Sequence, residues 1–446
     1  MPILDFMEEM GIEWALSRLR VSENGGKMNT TLKEYLADLR GMYSHGYFYM
    51  YINGDFTPQI RNLSVRDLGT FFHEYVHFMQ NISTLWGIKT GIMTNNLMCD
   101  MFTATQNASE IHIPFTEFTL DPRTQLELEF YKRTSGANGA DRYKNWSIDV
   151  TKPIGISVIE DESRPWPIPL RQVWLNVTFQ DGRTEKIQLG STIVLESMAA
   201  LCQSYIDPDA VHPDVPYNVV QILANQQFPN IAGDKKKLIC LCYIALFSMN
   251  PGWQFMDMIR YAEHNTEKSG IELFDEFVNE TILRVQGKRM NVIDFFDYII
   301  EGYKQSIKGL IGVDIDYLNA ILDNVRLSRK QAPLISVLND ENPIGIEHVE
   351  ALINYLSVPF VYTSGGRYFY PATTTSPRGS GDIAMMVSTH RLYSFLIQRS
   401  NGVCPLLMFC AHDHDGCYSE PWTETNCTIE PALRKIGVYG KPIIFD

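Results

Sequence analysis

Two histidines four residues apart with a glutamate beside the first, His73-Glu74-Tyr75-Val76-His77, are the groups in this chain best suited to chemistry. Neutral imidazole is a favoured ligand of Zn2+. Side chains at i and i+4 of a helix lie one above the other, so both rings can reach a single ion. Glu74 is turned by about 100° around the helix from His73, beside the position that a catalytic ion leaves open. There it can take a proton from bound water while the metal polarises a carbonyl. The chemistry implied is hydrolysis by an activated water.

The motif needs a helix, and its flanks supply one. Ser64 with Asp67 three residues on is a variant of the capping box, and Gly87 is a natural stop after Trp86. Between them Leu68, Phe72, Tyr75, Met79, Ile82 and Trp86 recur at spacings of three and four, a stripe expected to be buried. Arg66, Thr70, His73, His77, Gln80 and Thr84 occupy the other face, with Glu74 at its margin. A surface helix with two solvated histidines would give the same pair, but it would not need the glutamate in register.

A catalytic zinc usually takes three protein ligands and one water. A third histidine just downstream would follow a glycine at position 80 and stand at position 83; those positions hold Gln80 and Ser83. The best distant candidate is Glu196, in the helical stretch 191–205. Thr192, Glu196, Ala200, Gln203 and Asp207 share one stripe there, and Val194, Leu195, Met198, Leu201, Cys202 and Tyr205 form the apolar face. Ala199 and Ala200 let this helix approach another closely. A carboxylate beside alanines on an apolar helix suits coordination better than packing. Asp100, Glu110 and His112 are rivals without comparable helical context.

These two segments resemble the zincin metallopeptidases, and among them the gluzincin-like arrangement of H-E-x-x-H followed by a distant glutamate. The resemblance implies His73, His77 and Glu196 as zinc ligands and Glu74 as general base. It covers two short helices. It departs from the best-known members in the long separation between motif and Glu196, and in having Ala200 where those enzymes carry an aspartate supporting a ligand histidine. The implied fold is α+β: a small mixed sheet over the motif helix, with a large, mostly helical C-terminal portion.

Composition fits an enzyme of this kind. The chain has 446 residues, 45% hydrophobic and 20% charged, enough for a large core and two or three subdomains. Its net charge of −14 argues against nucleic acid as a partner. The longest apolar stretch, Leu238 to Met249, is too short to span a bilayer, and the first residues show no secretory signal. Eight scattered cysteines fit free thiols, and the expected setting is the cytoplasm, with no membrane.

Along the chain, residues 1–40 read as helical and His45 to Tyr51 as one strand ending at Asn53-Gly54. A catalytic core over 1–215 contains an inserted segment at about 103–190. Within that segment Val173 to Phe179 and Thr184 to Leu189 form a hairpin about Asp181-Gly182, and Arg164 to Pro169 a stiff loop. Residues 216–357 form a helical subdomain, with helices over Leu273 to Val285, Val292 to Ile307 and Asp316 to Leu327. The segment 358–446 holds a linker-like stretch, Thr373 to Asp382. It also holds a Cys/His-rich end, Cys404, Cys410, His412, His414, Cys417 and Cys427, a weaker candidate for a structural zinc whose spacing matches no paired C-x-x-C ribbon.

The expected function is a zinc-dependent metallopeptidase, a hydrolase acting on a peptide or protein, with zinc-bound water as nucleophile and Glu74 as general base. Tyr205, His212 and Tyr217, just beyond Glu196, are candidate oxyanion donors. The alternatives are a binding or scaffold protein that keeps the fold without catalysis, and a zinc hydrolase of a non-peptide amide. Retention of the base Glu74 weighs against the first. The sequence does not specify the oligomeric state.

Overall fold

The computed structural model describes most of residues 40–369, apart from 46–47, 55, 116–117, 137–142, 144–145, 162–169, 286, 313, 328–336, 339–341 and 365–367. It also describes 386–390, 392–393, 396–397, 434 and 436–445. The expected N-terminal helix before residue 40, the 164–169 loop, the 373–382 stretch and the Cys/His-rich end lie outside the described residues.

The chain is mixed, with many helices and small sheets, compatible with α+β. The motif helix, α1, spans Val65–Ser83, and its N-cap Ser64 accepts from the Asp67 backbone N–H at 3.1 Å, as the capping signal predicts. It stops earlier than expected. Thr84 is extended (φ −122°, ψ 155°) and serves also as N-cap of the next helix, α2, Leu85–Asn107, accepting from Gly87 N–H at 3.1 Å. Gly87 is therefore no terminator but a first-turn residue of α2. A Cβ there would fall 2.4 Å from the carbonyl oxygens of both Gln80 and Asn81, so a glycine lets the two helices meet at this sharp corner. Every residue of α1 from Leu68 to Ser83 is buried, so its polar stripe faces the interior rather than solvent.

Of the segment read as one strand at 45–51, Tyr49 onward is strand and ends before Asn53-Gly54 as expected, but it is the second arm of a hairpin that begins at Gly41. Strands β1 (Gly41–Ser44) and β2 (Tyr49–Ile52) pair antiparallel with Gly41 opposite Ile52, and Phe48 in the connection takes a left-handed φ of 52°. β2 pairs in parallel with Phe360–Thr363, giving a four-stranded sheet whose edges are β1 and Tyr368–Phe369. Phe48, Tyr51, Phe71, Tyr75 and Phe78, all nearly inaccessible, belong to the core shared by this sheet and α1. Burial of aromatic surface on this scale fixes the helix under the sheet.

Between α2 and the Glu196 helix lie β3 (Ile111–Ile113, paired in parallel with Ile443–Phe445) and α3 (Pro122–Ser135). They are followed by an antiparallel meander of β4 (Gly155–Asp161), β5 (Leu170–Thr178) and β6 (Thr184–Leu189). The expected hairpin at Asp181-Gly182 is present, with Gly182 at φ 86°, and runs through Gly190 into α4, Ser191–Ile206. α4 packs on α1 and on α5 (Val219–Gln227) and α6 (Lys235–Ala245). Ala199 and Ala200 are buried, as their size allows.

The apolar stretch from Leu238 is most of α6, a helix wrapped in protein on all sides. No described helix is long and apolar enough to cross a membrane. Helices α7 (Pro251–His264) and α8 (Gly270–Glu280) pack against α6. The helix expected over Leu273 to Val285 ends at Glu280. Residues Ile282–Val285 form β7 instead, turning at Gly287 (φ 80°) to pair with β8, Lys288–Asn291. β-Branched Ile282 and Val285 beside a glycine favour that hairpin over further helix. α9 (Val292–Ile311) runs a turn past Ile307 to a left-handed Gly312, α10 (Asp316–Leu327) has the expected bounds, and α11 spans Ile346–Leu356. Cys99, Cys202, Cys240 and Cys242 are free thiols.

Candidate metal centre

One helical turn on α1 brings the rings of His73 and His77 to a centroid separation of 5.0 Å, and α4 places Glu196 opposite both. A single atom, Glu196 Oε2, lies 3.3 Å from His73 Nε2 and 3.2 Å from His77 Nε2. Two ligands at ~2.0–2.1 Å from an ion and at a tetrahedral angle are themselves ~3.3 Å apart. The spacing is compatible with one small ion, as it is with a direct hydrogen bond, and all three ligand atoms lie within 4.8 Å of one another. These three residues are the one group among the described residues that could hold a metal.

Both imidazoles must present a lone pair at Nε2, so each must carry its proton on Nδ1. Gln80, one turn after His77 and 1% exposed, settles this for His77. Its Nε2 donates to the Leu195 carbonyl at 3.0 Å, which turns its Oε1 toward His77 Nδ1 at 2.8 Å. An amide oxygen only accepts, so His77 Nδ1 bears the proton. The same clasp ties α1 to α4. For His73 the partner is Gln203 Oε1 at 2.9 Å. The donor set, the spacing and the outer hydrogen bonds all fit a metal ion.

Without an ion the group holds itself together by charge. Burial pushes the His77 pKa down, but the adjacent Glu196 carboxylate, with Glu74 and Gln80, outweighs it and raises the value to about 9. Burial likewise pushes Glu196 up, but the opposing attraction and hydrogen bonds of His77 and His73 hold it well below the ordinary carboxylate range. An imidazolium–carboxylate pair therefore occupies the site in the metal-free protein.

Glu74 is buried against β1 and accepts the backbone N–H of Tyr43. Burial raises its pKa above the ordinary value and repulsion from Glu196 adds to this, opposed by His73 and His77. A buried carboxyl with a raised pKa beside a His/His/Glu group is suited to exchanging protons.

Beyond α4, Ser197 Oγ donates to the Pro216 carbonyl at 2.9 Å and Asp214 accepts from Ile148 N–H at 2.7 Å. These bonds anchor the turn that carries His212 and Tyr217 to the site. The two rings stack at 4.8 Å, and lie 5.5 Å and 5.8 Å from the ring of His73. His212 Nε2 meets Gln203 Oε1 at 2.8 Å. Burial, then His73 and Arg40, lower the His212 pKa to about 4 against the pull of Glu196. Neutral at pH 7, His212 has one N–H, and Gln203 takes it. Tyr205 has its ring under the Lys235 ammonium, which lies 5.7 Å from the ring centroid.

The rival ligands lie elsewhere. Asp100 accepts from the Asp121 N–H at 3.0 Å, and exposed Glu110 and His112 pair with each other at 3.1 Å. The C-terminal group of Cys404, Cys410, His412, His414, Cys417 and Cys427 falls outside the described residues. Three residues at the site were not singled out in the sequence. Gln80 and Gln203 lay on the same stripes as the ligands, a usable signal. His45, at the end of β1, has its ring 5.7 Å from that of His77 and a pKa lowered to about 3 by burial and then by His77; no spacing rule pointed to it.

Comparison with protein-family models, with curated proteins and with solved structures gives no match.

Proposed function

We propose that this protein is a zinc-dependent metallopeptidase with a gluzincin-like ligand set. The observation that carries the reading is the convergence of His73 Nε2 and His77 Nε2 on one oxygen of Glu196, with Glu74 buried on the same helix between them. A zinc ion held by those three residues would act as a Lewis acid on the scissile carbonyl and lower the pKa of water. Glu74 takes the proton of the attacking water and delivers it to the leaving nitrogen. Of Tyr205, His212 and Tyr217, the one favoured here to stabilise the developing oxyanion is Tyr217, whose ring stacks on His212 beside His73.

A peptide is favoured over a small amide by the position of β1. Among the described residues β1 has a strand neighbour on one side only, and its first residue, Gly41, rests on the Glu74 carboxylate. An extended substrate pairing along that edge would pass directly over the base.

The test is metal analysis joined to a peptide-library digest read by mass spectrometry. The reading expects about one zinc per chain, lost from a His73→Ala/His77→Ala double variant, and cleavages absent from a Glu74→Gln control. Zinc retained by the double variant would refute the ligand set. Zinc bound at the histidines without cleavage of any peptide would favour a binding protein or a non-peptide amidase instead.

A further inference from the structure

Gln203 is 2% exposed and stands two helical turns past Glu196 on α4. Its Oε1 lies 2.9 Å from His73 Nδ1 and 2.8 Å from His212 Nε2. A carbonyl oxygen has two lone pairs and no proton, so both nitrogens donate to it. The opposite amide orientation would donate to both rings and force the His73 proton onto Nε2, facing Glu196, with no lone pair for an ion. Metal ligation by His73 therefore fixes the amide, and the amide fixes two tautomers: Nδ1–H in His73 and Nε2–H in His212. The remaining nitrogen of His212, Nδ1, is then a bare lone pair. It has no hydrogen-bond partner among the described residues, on a half-buried ring that stacks against His73 on one contact and Tyr217 on another, the three rings forming a triangle.

We propose that Gln203 is a positioning residue that sets the polarity of two histidines at once, presenting the His73 lone pair to the metal and leaving the His212 Nδ1 lone pair without a protein partner, so that His212 meets substrate as a hydrogen-bond acceptor. This rests on the reading of His73 as a metal ligand. The chemical class it selects is a substrate with an N–H donor beside the scissile group. A peptide carries one at each residue other than proline. A donor His212 would instead have been aimed at a carbonyl or carboxylate oxygen.

The experiment is long-range ¹H–¹⁵N correlation on the zinc-loaded, full-length chain labelled at its 10 histidines, with assignments from single substitutions. The expected result is His212 protonated at Nε2 and bare at Nδ1, and His73 protonated at Nδ1. Gln203→Leu should leave His212 as a mixture of tautomers and weaken zinc binding by about 10–100-fold. Gln203→Glu, whose carboxylate oxygen accepts the same two N–H groups, should restore both tautomers. Should Gln203→Leu fail to fold, the wild-type spectrum still decides: His212 carrying its proton on Nδ1 in a protein with zinc at His73 and His77 overturns the inference and leaves the metal site standing. Absence of zinc from those histidines, visible as an unchanged metal content in the His73→Ala/His77→Ala double variant, removes the metal reading itself.

Discussion

Gly41 of β1 lies against Glu74 of α1 so closely that a Cβ at position 41 would fall 2.7 Å from Glu74 Oε1 and 2.8 Å from its Cγ. Thr70 Cγ2, at 3.0 Å, closes the other side. The strand roof and the proposed general base are thus set by one contact that tolerates only hydrogen. Gly41→Ala must displace either the carboxylate or the strand. Neither histidine nor Glu196 touches this point, so zinc content should be unchanged while turnover falls on the order of 10²-fold, the scale of a 1 Å misplacement of a reacting group. Equal activity in the alanine variant would remove Glu74 or β1 from the mechanism.

Glu74→Gln should retain zinc and lose turnover by about 10²–10⁴-fold, the usual contribution of a positioned base. Its effect on stability runs the other way. The folded-state pKa of Glu74 is raised, so between its ordinary value and the raised one the folded protein holds a proton that the unfolded chain has lost. Stability therefore falls as pH rises through that window. A neutral amide escapes this cost, and Glu74→Gln in the metal-free form should melt at or above wild type at pH 8. A marked fall in melting temperature there would show Glu74 to be a structural rather than a catalytic carboxylate.

Much of this site could be read from spacing, because helical period is a local property. His73, Glu74 and His77 are related by one turn, and Glu196 stood out as a carboxylate among alanines on an apolar helix. The β5–β6 hairpin followed from its Asp181-Gly182 turn. What escaped was tertiary. The burial of the polar face of α1 depends on α4 and on a sheet completed by Phe360–Thr363, about 300 residues away in sequence. The alternation that suggested one strand at 45–51 cannot distinguish a strand from a tight hairpin, and Phe48 with positive φ makes the difference. Gln80 and Gln203 lay on the correct stripes, but their roles depend on which way an amide turns, and the Leu195 carbonyl decides that for Gln80.

The metal-free protein should show a distinct pH dependence. His77 is raised from its ordinary 6.5 to about 9 by Glu196 despite its burial, so its pairing stabilises fully below pH 6.5 and is lost as pH climbs through 9. Chelator-treated protein should therefore lose melting temperature between pH 7 and 10. Since the same proton must leave before His77 can bind an ion, zinc affinity should rise with pH over that range, up to about tenfold per unit. Calorimetry in buffers of different ionisation enthalpy would count the proton. Zinc binding with no proton release at pH 7 would contradict the His77–Glu196 pair.

Glu196→Ala gives the sharpest contrast. Loss of a direct ligand should weaken zinc by more than the 10–100-fold typical of an outer hydrogen-bond partner. Breaking a buried ion pair commonly costs about 3–5 kcal/mol because one charge is left unpaired. Here the surviving partner can shed its charge. With Glu196 gone, the strongest influence raising His77 is lost while burial still pushes its pKa down, opposed only by Glu74 and Gln80, so the pKa falls from about 9, the ring sheds its proton more readily at pH 8 and the fold should hold. Val194, Met198 and Leu201 keep α4 packed as before. Acidification then acts unequally in the two proteins. Wild-type His77, with its pKa raised to about 9, gains stability as pH falls from 9 toward 6.5, and the variant, deprived of the main raising influence, gains less. Melting curves of both metal-free proteins at pH 5.5 and pH 8 should show the gap between them widen at the lower pH. Parallel curves would mean that Glu196 and His77 are not partners, and the three-ligand centre would fall with them.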